Sequence, residues 1–175
     1  MRVRSEFPDF AVTRTSLTDI FRNLPQWAGQ EYLNFSVGSF RRQNWIDRTP
    51  ERWKQRRVVD EGRAILVKRG ALRRSIRMKH GADWFEIYTA SPYAKIHNEG
   101  GRLEITAKMR RYFWAMHYKA KKRKNDELAG YWKNMALTKK THFEISKRQF
   151  MGNSWMMNQR IARQVERGVA RALRD

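Results

Sequence analysis

The chain has four histidines, His80, His97, His117 and His142, and no cysteine. None of the four stands at metal-ligand spacing from another histidine or an acid, and without cysteine there is no thiolate zinc site, disulfide or thiol nucleophile. The run His97-Asn98-Glu99 invites comparison with small histidine–asparagine nucleases, but the rest of such a motif is missing. Asp83 and Glu86 fall near a strand where a restriction-type nuclease would hold a metal ion beside the scissile phosphate. Tyr88 takes the place of the lysine that such a core needs. A serine nucleophile elbow and a glycine-rich phosphate loop are also missing. The residues that could do chemistry therefore point away from an enzyme, and no cofactor or metal is implied.

Charge is the dominant property. Lys and Arg number 38 against 17 Asp and Glu, a formal net charge of +21. Such a field attracts phosphate backbones, acidic protein surfaces or anionic lipid, and says nothing about fold. The excess is spread along the chain and is heavier beyond residue 100. Its densest part is Arg110, Arg111, Lys119, Lys121, Lys122, Arg123 and Lys124, around Tyr112, Phe113 and Trp114. Charge with interleaved rings is how single-stranded nucleic acid is held. Three consecutive helical residues point about 100° apart, however, so these rings cannot form one platform. Tyr112 and Phe113 fit an inward stripe better, which leaves a solvated basic face with incidental, non-specific DNA contact. Hydrophobic residues make up 41% of the chain, too many for a disordered protein. No apolar run is long enough to span a membrane, and no apolar segment follows the first arginines, so neither a membrane anchor nor a signal peptide is expected.

The elements that must position these groups read as one α+β domain over residues 1–175: a small antiparallel sheet packed against an N-terminal helix, a central helix and a C-terminal amphipathic helix. The N-terminal helical segment covers about 16–43. Ser16 and Asp19 form a capping box, Leu17, Ile20, Phe21 and Leu24 keep helical spacing, and Pro25 opens a second helix. In that second helix Leu33, Val37 and Phe40 line one side and Ala28, Tyr32 and Phe35 the next. Thr49 and Pro50 suggest a short helix carrying Trp53. The sheet is expected over about 63–90, with a first strand at "RAILVK" and a hairpin around "HGAD", where Trp84, Glu86 and Tyr88 alternate with Phe85, Ile87 and Thr89. Met109, Tyr112, Phe113, Met116 and Ala120 mark the central helix. A short helix at 131–137, a strand at "HFEIS" and a turn at Gly152 follow. The last helix, about 154–174, starts at Ser154, with Met157, Ile161, Val165, Val169 and Leu173 as its apolar stripe and Arg160, Arg163, Arg167 and Arg171 off it.

Three stretches together resemble the phage virion morphogenesis (tail completion) family of Mu-like tailed phages and prophages. The first is Gly70, Leu72, Ser75 and Ile76, at the start of a strand. The second is Tyr93, Ala94 and His97 followed by Gly100 and Gly101, and the third is Arg148, Phe150, Gly152 and Ser154 before the last helix. The segment "ITAKMRRYFWAMHYKA" is also similar to family members. Order and spacing agree from about Trp45 onward. Two departures are Arg69, where the family usually has threonine, and Ser146 or Lys147, where it has proline.

The resemblance implies a non-enzymatic structural protein of the virion, assembled in the bacterial host cytoplasm. It would act in tail completion and head–tail joining at the neck. Its partners would be other virion proteins (tail tube, neck or connector) and copies of itself in a ring, without membrane contact. The alternative is a basic nucleic-acid-binding protein of a phage or mobile element. On the first reading Gly70 allows a tight entry to the strand, with Leu72 and Ile76 anchoring its ends. Tyr93 and Ile96 pack down, and His97 hydrogen-bonds backbone as a structural histidine. Subunit contacts are expected at Lys119 to Lys124 and in a loop after Gly100.

Overall fold

A computed structural model describes residues 10–55 and 64–174. Its elements run α1 (Phe10–Arg42), β1 (Asn44–Ile46), β2 (Pro50–Arg52), α2 (Ala71–Ser75), β3 (Ile76–His80), β4 (Phe85–Thr89), α3 (Ala94–Glu99), β5 (Gly101–Glu104), α4 (Ala107–Lys122), α5 (Asp126–Leu137), β6 (His142–Ile145) and α6 (Trp155–Ala172). The class is α+β, with long helices at both ends. The strands form three separate antiparallel pairs, β1–β2, β3–β4 and β5–β6.

One helix stands where the sequence suggested two. α1 passes through Pro25, and Ser16 lies inside it rather than at its start. An internal proline removes a ladder bond and crowds the preceding turn, at about 3 kcal/mol. The helix continues because Pro25 is itself buried and the turns beyond it are clamped by packing. Phe40 enters one apolar cluster with Trp53, Ile65, Leu72, Ile76, Ala94 and Phe150, while Leu33 and Val37 pack against its side. Tyr32 and Phe35 enter a second cluster with Trp45 and Met157. The two adjacent sides read from the sequence thus serve two cores.

The β3–β4 hairpin lies across α1 at Gly29, where a Cβ would come within 3.0 Å of Met78 Cγ and Phe85 Cβ. Its register pairs Ile76 with Thr89 and His80 with Phe85. Alternation along β4 is as expected: Phe85, Ile87 and Thr89 are half-buried and Glu86 and Tyr88 exposed.

Three expected elements differ. Within the Thr49–Trp53 segment, Pro50–Arg52 pairs as β2 with β1 instead of forming a helix, and Trp53 after it is buried against Phe40 at 5.4 Å between ring centroids. Of the "RAILVK" strand, Arg63 lies outside the described residues, and the rest forms turns and bends. Ile65 is held there by the Gln43 side chain, whose Oε1 accepts from Ile65 N at 2.6 Å and whose Nε2 donates to Ile65 O at 3.2 Å. Gly70 has φ +68 and leads into the helical turn α2, so Leu72 is buried on that turn and the strand begins only at Ile76.

Beyond α3 the chain makes an excursion. β5 leads out, α4 and α5 form an antiparallel pair, and β6 returns beside β5, pairing Gly101 with Ile145 and Glu104 with His142. Residues 101–145 are therefore a helical hairpin carried on a two-stranded ribbon, called the arm below. α4 and α5 pack mainly on each other, with Phe113 meeting Phe143 of the ribbon at 6.0 Å. α6 then packs back on α1, started by Ser154, whose Oγ accepts from Met157 N at 3.2 Å.

Candidate interaction surface

The three motif stretches are brought together. Leu72, Ile76, Ala94 and Phe150 share the first apolar cluster, and Phe150 is 0% exposed. The Ser75 hydroxyl lies 2.7 Å from that of Thr89, tying α2 to the end of β4. The second and third stretches meet at the root of the arm. Arg148 N donates to His97 O at 2.8 Å, and Asn98 Oδ1 accepts from both Phe150 N and Met151 N at 2.9 Å. The Arg148 guanidinium donates to Lys54 O at 3.1 and 3.2 Å, and Trp53 Nε1 donates to Gln149 O at 2.8 Å.

Gly100 sits where the excursion starts, with φ +75 and ψ −171, a region essentially closed to side chains. A Cβ there would lie 2.8 Å from Lys147 N and 2.9 Å from Ile145 O, both backbone atoms of the returning chain. Ser154 closes the set. Besides capping α6, it donates its Oγ proton to Ile46 O at 2.7 Å, while the Tyr32 hydroxyl reaches its carbonyl at 3.2 Å.

Some motif residues sit differently from expectation. Tyr93 is 58% exposed, and Ala94 packs down in its stead. The segment after Tyr93 is helix α3, and the stretch after Gly100 is strand β5, not a loop. His97 is half-buried, but its ring Nδ1 is enclosed without a hydrogen-bond partner, so the backbone bond expected of the ring is made by the carbonyl instead. Burial and the Arg148 charge hold its pKa below the ordinary histidine value.

The arm carries the basic stretch. Between 101 and 145 there are 12 Lys and Arg against 4 Asp and Glu. Thr106 caps α4 by accepting from Met109 N, and Asn125 caps α5 by accepting from Leu128 N, with Asp126 and Glu127 suiting the positive end of the helix. The turn between the helices is a Schellman close. Asn125 N donates to Ala120 O and Lys124 N to Lys121 O, with Lys124 at φ +55, the position usually given to glycine.

The candidate basic residues divide by role. Arg110 is committed inside the arm, its Nη1 donating to Ala136 O at 3.0 Å and Thr138 O at 2.7 Å, which satisfies carbonyls at the end of α5. Arg111, Lys119, Lys121, Lys122, Arg123 and Lys124 are exposed. Phe113 stacks on Trp132 at 5.9 Å and is buried, as its stripe required. Tyr112 is 50% exposed, so it does not belong to the inward stripe. Trp114 instead stacks on Tyr118, with centroids 6.1 Å apart and planes at 27°. That pair was missed, although its four-residue spacing on a helix was the available signal.

Of the acids weighed for catalysis, Glu86 is held in an ion pair. It bonds Lys79 across the hairpin at 2.8 Å, and that hydrogen bond raises the lysine pKa. Among the described residues no group of three or more His, Cys, Asp or Glu could hold a metal ion, and no helix is long and apolar enough to cross a membrane. A concave surface of about 460 Å³ lies along α6 between Trp155, Arg160, Arg163 and Arg167.

Comparison with curated proteins gave no match, and comparison with solved structures gave none either. Comparison with family models matched the phage virion morphogenesis family over residues 41–170, a span that contains all three motif stretches, the arm and most of α6. With the motif residues gathered into one core and one arm root inside that span, the chain belongs to the phage virion morphogenesis family.

Proposed function

We propose that the protein completes tails and joins them to heads at the neck of the particle, by binding neighbours and without turnover. Membership of the family supports a role in building the virion and association with it. The observation that carries the finer reading is the arm, a hairpin that leaves and re-enters the body at one braced root. Copies would pack around the tail axis as a ring. Contacts at Lys119 to Lys124 and along β5 would steer acidic surfaces of neighbouring virion proteins into place.

Quantitative mass spectrometry of purified particles tests this. A constant small number of copies per particle, a ring's worth, is expected. Absence from finished particles in cells that plainly express the protein would overturn the neck role.

A further inference from the structure

α4 has an outward side whose rings the assembly reading leaves unexplained. At 100° per residue, Arg111, Trp114, Tyr118, Lys121 and Lys122 fall within an arc of about 100°. Phe113 and Ala120, both buried, lie opposite. Trp114 and Tyr118 stack in the middle of this arc, and Tyr118 is 65% exposed. α4 contains no Asp or Glu. Among the described residues, the one ion pair made by the basic groups from Arg111 to Lys124 is Lys121–Asp126, at 3.8 Å between exposed side chains. The result is a ring pair bordered by cations along roughly 16 Å of helix.

We propose that this side of α4 is a binding face for single-stranded nucleic acid, with the phosphates tracking Arg111, Lys121 and Lys122 and an unpaired base stacking on the exposed ring of Tyr118. Two features favour a phosphate chain over an acidic protein surface. The cations are mostly lysines, which are depleted from the centres of protein–protein interfaces but serve well as point charges along phosphates. Large rings set among cations match what grips an unpaired strand, whose base faces are open, whereas a duplex offers a ring only its phosphates. The consecutive trio Tyr112, Phe113 and Trp114 could not supply that surface; the pair one turn apart does. The inference gives Lys121 and Lys122 a phosphate partner in place of the acidic protein surface proposed above, and it uses residues outside the arm root.

Fluorescence anisotropy of the full-length protein with a labelled oligo(dT) strand of about 20 nucleotides, longer than common site sizes, tests it. The strand should bind more tightly than the same length of duplex, and affinity should fall as salt rises. Tyr118→Ala should weaken binding about tenfold, while Tyr118→Phe, which keeps the ring, stays near wild type. Lys121→Ala with Lys122→Ala should lower the log–log salt slope by about 1.4. Arg163→Ala with Arg167→Ala, on α6, should change affinity much less. Unaltered thermal melts check that the variants are folded. Wild-type binding by Tyr118→Ala, tighter binding of duplex, or equal losses from the α6 pair would each overturn the proposal. So would displacement of the strand by polyglutamate at equal charge, which would indicate an acidic protein partner.

Discussion

At the scale of the residue, two positions at the arm root carry separate consequences. Gly100→Ala sets a Cβ against backbone rather than a yielding side chain, in a conformation that already disfavours it. Strain of about 1–3 kcal/mol and crowding of similar size add, so a loss of about 3 kcal/mol or more is expected in denaturant unfolding. His97 governs a pH dependence. Its folded pKa lies below 6.5 because burial and Arg148 disfavour the cation, so the unfolded chain takes up the proton first. Its contribution is complete above pH 6.5 and is lost as pH falls toward the folded value. Melting temperature should therefore decline between pH 7 and 5, and His97→Gln should decline less over that range.

At the scale of the element, the arm shows what the sequence could and could not convey. α4 and α6 were legible because burial on one side writes a period into the residues, and Ser154 was legible as a cap because its hydroxyl must meet a free amide. Tertiary packing decided the rest. α1 overrode Pro25 because apolar contacts in the turns beyond it outweigh one missing hydrogen bond. The end of α4 carried no glycine to announce it, since Lys124 accepts a left-handed backbone. Lys124→Gly should stabilise the protein by about 1 kcal/mol in chemical denaturation, removing that penalty while keeping both closing hydrogen bonds. The basic stretch reads as uniform in sequence, yet adjacent arginines differ. Arg110→Ala strands carbonyls at the end of α5 and should cost about 1–3 kcal/mol. Arg111→Ala, at an exposed position outside that network, should fall within about 0.5 kcal/mol of wild type.

At the scale of the whole molecule, the three motif stretches are distant in sequence and adjacent in space, joined in the core under α1 and at the root beneath the arm. Their residues hold the scaffold, while the exposed charge and rings lie on the segment between them. Replacing 103–143 with an Asn-Gly turn, which keeps the first β5 and last β6 residues paired, should leave a folded body. Far-UV circular dichroism should lose the helical signal of α4 and α5 while the remaining unfolding transition persists. The root thus works as a socket. Loop closure depends only weakly on the length it encloses, so lineages can exchange, lengthen or recharge the inserted piece while the frame beneath it keeps its residues. The arm's exposed surface and the body's fold thus rest on separate residues.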